Sequence, residues 1–313
     1  MKKIFRTTTF ILLVLVMIFL LYVIAGNLYT HLIVLQRVDY MGTPPGEFHE
    51  IGDARIHYVK TGQGPTLILV HGFLGSTDNF KKIIGPLSDE YTVYALDLIG
   101  FGHSDKNLQL HYSKKASSEI IAGFMEQKGL SSAVLMGHSM GGEVCINLAL
   151  DHPRLVDRLI LLNSAGLSNV PGYSQPEGSF RELGAFFIDN VVFTYPGNFL
   201  AGMNVFYDKG SLDRIRRYEF FAVAKQTNAK VLMRLSEDND SGLRKDEISG
   251  IAMPTLIVWG RQDRVIDLEY GMMLSGMITG SELVVIEESG HLPFEEKPVE
   301  FVEIILSFLN SER

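Results

Sequence analysis

The sequence predicts an α/β fold in which a parallel sheet is covered by helices on both faces. Short and continuously apolar segments, such as Thr66–His71 and Thr255–Trp259, alternate with longer amphipathic ones, such as Lys114–Lys128. Strands without polar alternation are buried on both faces, and parallel neighbours need helical crossovers between them. Composition agrees, because 46% hydrophobic and 20% charged residues are typical of a globular protein and not of a disordered chain.

The first element is an apolar N-terminal segment. Residues 10–25 carry no formal charge, and the segment from 7 to 26 has about twenty residues, enough for a helix to cross a bilayer. The basic residues Lys2, Lys3 and Arg6 precede it, and such a flank stays in the cytoplasm. We therefore predict that residues 1–30 form a single transmembrane anchor, with the remaining chain on the extracytoplasmic side.

A cleaved signal peptide is the alternative for this segment. The basic start followed by an apolar stretch fits a secretory signal, and Val23-Ile24-Ala25 resembles a cleavage site. Cleavage there would give a secreted protein. The uncleaved anchor is favoured because the apolar character resumes at residues 32–35, where a mature secreted chain usually becomes polar.

Residues 46–166 form the first part of the predicted core. A hairpin that turns at Gly52-Asp53 opens it, and strands and helices alternate after that. We predict strands at Thr66–His71, Thr92–Leu98, Ala133–Met136 and Arg158–Leu162, and helices at Asp78–Leu87, Lys114–Lys128 and Gly142–Leu150.

The alternation stops after residue 166 and returns at residue 253. The intervening residues 167–252 lack strand patterns and are rich in aromatic residues, so we predict an inserted helical lobe. Its aromatic side chains either form the core of the lobe or line an apolar pocket over the site. Residues 253–313 complete the core, with predicted strands at Thr255–Trp259 and Glu282–Ile286 and helices at Asp267–Met277 and Val299–Leu309.

A nucleophile elbow is predicted between a strand and a helix. The sequence Gly137-His138-Ser139-Met140-Gly141 has the G-x-S-x-G spacing, follows an apolar strand and precedes a helix. A serine at the tip of so sharp a turn takes a strained backbone, and the two glycines let strand and helix approach each other. Ser139 is thus the candidate nucleophile.

A serine hydroxyl needs a base, and the base needs a carboxylate to orient it. Asp263 follows the strand Thr255–Trp259, and His291 follows the last strand. Because open α/β sheets place their sites at the carboxyl ends of parallel strands, we predict His291 as the base and Asp263 as the acid. Asp267 competes as the acid, and Asp263 is favoured because it lies nearer the strand end.

The oxyanion formed by attack on a carbonyl group needs preorganised donors. The backbone amide of Met140 is one candidate, because it lies at a helix N-terminus where the dipole also stabilises negative charge. The second predicted donor is the amide of Phe73, in the glycine-flanked loop that follows the strand Thr66–His71.

Five motifs together resemble the α/β-hydrolase superfamily: His71-Gly72-Phe73, residues 97–104, residues 137–142, residues 260–263 and Gly290-His291. The resemblance covers about residues 46 to 313. It implies an eight-stranded, mostly parallel sheet with helices on both faces, a helical cap inserted after the sixth strand, and a Ser–His–Asp triad. Haloalkane dehalogenases and epoxide hydrolases of similar fold use Asp at the elbow, so Ser139 disfavours their chemistry.

The predicted activity is hydrolysis of carboxylic esters through an acyl-enzyme, with an apolar acyl group suggested by the aromatic insertion. Membrane tethering makes lipid esters candidate substrates. The alternatives are a C–C bond hydrolase or a perhydrolase on the same scaffold, and a ligand receptor without catalysis. His138 mildly favours the esterase, since many ring-cleavage hydrolases carry Asn before the serine.

Charge and residue counts exclude several other functions. The net charge of −8 opposes binding to nucleic-acid phosphates. The single cysteine, Cys145, supports neither an intrachain disulfide nor a thiolate metal site, and it is expected in the core. Since the sequence has no zinc spacing, phosphate loop or dinucleotide fingerprint, we predict no metal and no cofactor. Protein partners are not indicated.

Overall fold

A computed structural model describes residues 2–37, 45–167, 188–197, 204–210, 214–238 and 245–311. Eight strands form one sheet within these ranges. They are β1 (Glu47–Ile51), β2 (Ala54–Thr61), β3 (Thr66–Val70), β4 (Thr92–Leu96), β5 (Ala133–His138), β6 (Val156–Leu162), β7 (Thr255–Gly260) and β8 (Glu282–Ile286).

The sheet has the order β1-β2-β4-β3-β5-β6-β7-β8 and is mostly parallel. β1 and β2 form the predicted hairpin and β2 pairs antiparallel with β4, whereas all pairs from β4 to β8 are parallel. The hairpin turns at Gly52, whose φ of 58° is in the region that favours glycine. The predicted α/β fold with an eight-stranded, mostly parallel sheet is therefore confirmed.

The α-helices of the described residues are α1 (Lys2–Tyr29), α2 (Lys81–Ser88), α3 (Lys114–Gln127), α4 (Met140–Asp151), α5 (Arg214–Gln226), α6 (Ala229–Glu237), α7 (Lys245–Ile248), α8 (Leu268–Met277), α9 (Pro293–Glu296) and α10 (Pro298–Asn310). The core helices predicted from the sequence correspond to α2, α3, α4, α8 and α10, and their ends agree to within a few residues. The predicted helix from Asp78 begins instead with a 3₁₀ turn at Thr77–Phe80, which Ser76 caps by accepting the amide of Asp78.

Two cores cover the two faces of the sheet. Successive side chains of β3 alternate between them, with Leu67 and Leu69 in one core and Ile68 and Val70 in the other. The first core is completed by α2 and α10, and the second by α3, α4 and α8, where Trp259 is fully buried. Burial on both faces explains why the central strands are continuously apolar.

The C-terminal end of helix α1 contacts the region between β6 and β7, which we call the β6–β7 insertion (residues 167–252). Among the described residues, Thr7–Val34 is the one helical stretch long and apolar enough to cross a membrane, with a mean hydropathy of 2.9. Most of its apolar side chains are exposed, but Val34 at its end is buried against Tyr218 and Phe221 of α5.

The described parts of the β6–β7 insertion are mainly helical. Its aromatic side chains pack in more than one place: Phe221 lies in the cluster with Val34, while Phe206 and Phe220 contact each other with ring centroids 5.7 Å apart. Phe186 and Phe187, two of the aromatic residues that suggested this insertion, lie outside the described residues.

Candidate active site

Ser139 joins β5 to α4 in a strained conformation. Its φ of 53° and ψ of −121° lie outside the regions that a serine normally occupies. A Cβ on Gly137 would collide with the carbonyl oxygen of Gly141, and one on Gly141 would collide with that of His71. The glycines of the G-x-S-x-G sequence are therefore needed for the close approach of strand and helix, and the serine is fixed at the tip of the turn.

The loop after β3 lies directly against this elbow. A Cβ on Gly72 would be 2.9 Å from Cβ of Ser139. Buried His71 holds the loop, because its Nδ1 donates to the Gly72 carbonyl at 2.7 Å and its Nε2 accepts the Leu98 amide at 3.0 Å. Burial lowers the pKa of His71, so the ring is neutral, as this pair of bonds requires. The side chain of Phe73, in the same loop, is half exposed.

His291 and Asp263 form a buried hydrogen-bonded pair. Nδ1 of His291 donates to Oδ2 of Asp263 at 2.7 Å. The other carboxylate oxygen accepts the backbone amides of Val265 at 2.8 Å and Ile266 at 3.1 Å. This arrangement fixes the proton of the imidazole on Nδ1 and leaves Nε2 as an acceptor.

The competing acid has a different role. Oδ1 of Asp267 accepts the amide of Glu269 at 2.9 Å and so caps the N-terminus of α8. Of the two candidate carboxylates, Asp263 is the one that accepts a hydrogen bond from His291.

His138 connects the elbow to the loop of His291. Its Nε2 donates to the His291 carbonyl at 2.9 Å, and the two rings lie with centroids 4.7 Å apart. Burial, and then the neighbouring His291, lower the pKa of His138 well below its ordinary value, so this ring is a neutral donor.

Ser139 and His291 are linked through His138, which follows Gly137 in the elbow and hydrogen-bonds to the His291 carbonyl. Within the described part of the chain, the hydroxyl of Ser139 makes no hydrogen bond to His291. Such a bond is often long in a free enzyme and tightens when substrate binds.

Sequence reasoning missed Asn163. Its Nδ2 donates to Oδ2 of Asp263 at 2.7 Å, so the oxygen that accepts from His291 has a second donor. Asn163 has a φ of 41° and follows β6 directly. A polar residue immediately after the apolar run Leu159–Leu162 of β6, beside Ser164, was the available signal.

Four neighbouring parallel strands therefore supply the site at one edge of the sheet. Ser139 follows β5, Asn163 follows β6, Asp263 lies beyond β7, and His291 lies beyond β8. This is the edge at which open α/β sheets bind ligands. Among the residues that the structure describes, no group of three or more His, Cys, Asp or Glu side chains is placed to hold a metal ion.

Comparison with known proteins agrees with this fold. Residues 65–298 match the family model described as the alpha/beta hydrolase fold. The uncharacterized hydrolase YugF of Bacillus subtilis is 30% identical over 81% of this chain and 92% of its own. Lipase 1 of Psychrobacter immobilis is 30% identical over 78% of this chain and 77% of its own.

A solved structure extends the similarity to the N-terminal helix. The crystal structure of a membrane phospholipase A, described as a bacterial virulence factor, has a TM-score of 0.72 and 26% identity. The match covers 99% of this chain and 98% of that one. Other relatives include an esterase and ring-cleavage hydrolases.

Proposed function

The chain belongs to the α/β-hydrolase family, and we propose that it is a serine hydrolase that cleaves carboxylic esters with apolar acyl groups. The observation that carries the proposal is the bond from His291 Nδ1 to Asp263 Oδ2, formed beside the strained elbow of Ser139. An imidazole whose Nδ1 donates to a buried carboxylate, on a loop hydrogen-bonded to the elbow of a serine, is the arrangement that nucleophilic acyl transfer needs.

The reaction follows from these three groups. Oγ of Ser139 attacks the ester carbon while Nε2 of His291 takes the hydroxyl proton, and the Asp263 carboxylate stabilises the resulting imidazolium. The imidazolium returns the proton to the departing alkoxide, which leaves as an alcohol, and the acyl group stays on Ser139. Water, deprotonated by the same Nε2, then attacks the acyl-enzyme and releases the carboxylic acid.

Two backbone amides would hold the oxyanion in each tetrahedral intermediate. Met140 is the first residue of α4, so its amide is one of the unpaired donors of that helix. Phe73 lies in the loop that abuts Ser139, one residue beyond Gly72. The proposal assigns the second donor to the Phe73 amide, and loss of one such donor costs roughly 100- to 1000-fold in kcat.

Lipid esters are the proposed substrate class. The similarity to Lipase 1 and to a membrane phospholipase A supports it, as does an apolar helix at the start of the same chain. The half-exposed ring of Phe73, packed edge-on against Phe101 with centroids 5.9 Å apart, offers an apolar wall beside the elbow.

Helix α1 is proposed as an uncleaved membrane anchor with the catalytic body on the extracytoplasmic side. The C-terminal end of α1 contacts the β6–β7 insertion, which favours retention of the helix. The hydroxyl oxygens of Tyr22 and Thr194 lie 3.4 Å apart, and Asn27 Nδ2 donates to the Asn190 carbonyl at 3.1 Å. With α1 as the anchor, the proposal puts the insertion, itself proposed as a cap over the site, next to the bilayer. Protease that digests the body only from the cytoplasmic side would contradict this orientation.

Active-site labelling tests the reaction class. A fluorophosphonate should modify the folded full-length protein in detergent, and the label should vanish in Ser139→Ala. The matched control is Ser311→Ala, because Ser311 lies near the C-terminus and far along the chain from the elbow. Absence of labelling in folded protein would favour a binding protein over an enzyme.

Substrate specificity is tested separately with p-nitrophenyl esters of increasing chain length and with a phospholipid. Rates that rise from acetate to longer chains support lipid esters. Activity confined to acetate would contradict the lipid proposal while leaving the esterase intact. Turnover of a dienoate ring-cleavage product without ester hydrolysis would contradict both.

A further inference from the structure

The carboxylate of Glu296, in short helix α9, bridges two segments that are distant in sequence. Oε2 accepts the amide of Gly290 at 2.6 Å and the hydroxyl of Ser289 at 3.4 Å. Oε1 accepts the amides of Tyr207 at 2.7 Å and Asp208 at 3.3 Å. One oxygen therefore binds the loop of His291, and the other binds residues 204–210 of the β6–β7 insertion, which we call the docking segment.

The docking segment also contacts the backbone of His291 directly. The His291 amide donates to the Val205 carbonyl at 2.8 Å, while the His291 carbonyl accepts from His138 at 2.9 Å. The backbone of His291 is thus held on one side by the elbow and on the other by the insertion. A Cβ on Gly290 would lie 2.6 Å from the Val205 oxygen and 2.8 Å from the Tyr207 nitrogen, so only glycine permits this contact.

Burial of the Glu296 carboxylate disfavours its charged form. Burial raises the pKa of Glu296, although the four donors around it act in the opposite direction. The bridge needs a carboxylate because both oxygens of the side chain act as acceptors. Each oxygen accepts a short bond from a backbone amide. A glutamine side chain could accept at one end only, because its NH₂ group would face an N–H donor at the other.

No basic side chain in the described ranges forms an ion pair with Glu296. Lys297 is directed to Glu288, at 3.4 Å, and these two side chains lie with Tyr207, Asp208 and Glu296 around a surface cavity of about 570 Å³. The neighbouring carboxylate of Glu295 points elsewhere, to Arg216 and Lys82.

We propose that Glu296 is a positioning residue that couples docking of residues 204–210 to placement of the His291 ring. When the docking segment is bound, the peptide of His291 is fixed from both sides, and Nε2 is held toward Ser139. When it is released, the loop loses the Val205 bond and one half of the carboxylate bridge, and the ring loses its alignment. The inference rests on the proposed serine-hydrolase function.

The test is steady-state hydrolysis of p-nitrophenyl butyrate by the full chain in detergent. Glu296→Gln should lower kcat about 10- to 100-fold, since misplacement by about 1 Å costs this much, and should leave KM within about twofold because no acyl-binding group is removed. Glu300→Gln, an exposed carboxylate on α10, is the control and should match wild type. Wild-type kcat in Glu296→Gln would overturn the proposal, as would a raised KM with unchanged kcat.

A second variant weakens the other end of the bridge. Tyr207→Pro deletes the shorter of the two amide bonds to Oε1 and leaves Glu296 and Gly290 unchanged. Because both variants break the same coupling, the double variant should be no worse than the more damaging single one, whereas independent sites would multiply their losses. Additive losses would overturn the coupling even if each variant folds less well.

Failure of the proposed function remains distinguishable from failure of this inference. An inactive wild-type protein that no fluorophosphonate labels would remove the hydrolase itself. An active, Ser139-dependent wild type with kinetically unchanged Glu296→Gln and Tyr207→Pro variants would remove only the positioning role.

Discussion

Asn163 donates a 2.7 Å hydrogen bond to Oδ2 of Asp263, the same oxygen that accepts the Nδ1 proton of His291. With the two backbone amides on Oδ1, the carboxylate has four donors and is buried. A carboxylate held in this way cannot rotate without losing several bonds, so the orientation of the imidazole is fixed from behind.

Replacing Asn163 should therefore lower activity, because Asn163 acts through Asp263 and not by contact with the substrate. We expect Asn163→Ala to reduce kcat about 10- to 100-fold, because Asp263 loses the donor that holds Oδ2 in place. Asn163→Asp should be worse, since a second carboxylate would repel Asp263 at hydrogen-bond distance. Steady-state kinetics on a short-chain ester measures both variants, with exposed Asn310→Ala as the control. Equal kcat in Asn163→Ala and wild type would contradict the role.

The two candidate acids should separate clearly by mutation. Asp263→Asn keeps the size of the side chain but favours the wrong tautomer of His291, which in a serine triad costs on the order of 10⁴ in kcat. Asp267→Asn should retain nearly full activity, because Asn is as good an N-cap as Asp. The pair is matched in chemistry and lies within four residues, so a large loss in Asp267→Asn would reverse the assignment.

Local patterns explain what could be predicted from sequence. The strands were found because β3 and β5–β7 are buried on both faces and so are apolar along most of their length. The elbow was found because Gly137 and Gly141 are needed for a close approach. Asn163 and Glu296 were missed because their roles depend on bonds to residues 100 and 89 positions away. The contact of Val34 with α5 was missed for the same reason.

Stability should fall in mild acid because two buried histidines stay neutral in the fold. Burial lowers the pKa of His71 and, more strongly, of His138 below the ordinary value of 6.5. Between pH 6.5 and the lowered pKa of each folded ring, the unfolded chain binds a proton on that ring and the folded chain does not, so the free energy of unfolding decreases as pH falls. The slope approaches about 1.4 kcal/mol per pH unit for each ring.

Denaturant unfolding of the full chain between pH 8 and pH 5 measures this slope. His138→Gln keeps a donor for the His291 carbonyl and cannot titrate, so its slope should be shallower than that of wild type. Unfolding free energies that rise on acidification would show that the buried rings are not neutral.

A buried ion cluster joins the β6–β7 insertion to the core. Arg216 of α5, with a side chain 5% exposed, binds the fully buried carboxylate of Glu295 at 2.9 Å and also binds Asp78. Burial acts to lower the pKa of Arg216, but the bonds to Glu295 and Asp78 outweigh it and raise that pKa. The guanidinium of Arg216 therefore keeps its charge in the folded chain.

Breaking this cluster on one side should be costly. Glu295→Gln leaves the buried guanidinium undercompensated, and we expect a loss of about 3 to 5 kcal/mol in unfolding free energy. Glu287→Gln breaks the exposed pair with Arg261 and should cost about 0.2 to 1 kcal/mol. Replacing both Arg216 and Glu295 with Met should recover much of the loss, because the two most deeply buried charges of the cluster are removed together. A double variant less stable than Glu295→Gln would contradict this account.

The C-terminal end of the helical stretch Thr7–Val34 should behave as part of the folded body, although most of the stretch is exposed. Val34 is 0% exposed and packs with Tyr218 and Phe221, whereas Leu32, two residues earlier, is 51% exposed. Val34→Asp would bury a carboxylate among aromatic rings and should lower the unfolding free energy in detergent by several kcal/mol, about 3 or more. Leu32→Asp places the same charge on the exposed side of the same turn and should change it by less than about 1 kcal/mol. If the two variants were equally stable, α1 would be a tether that the body does not contact, and the proposed placement of the insertion beside the bilayer would lose its structural support.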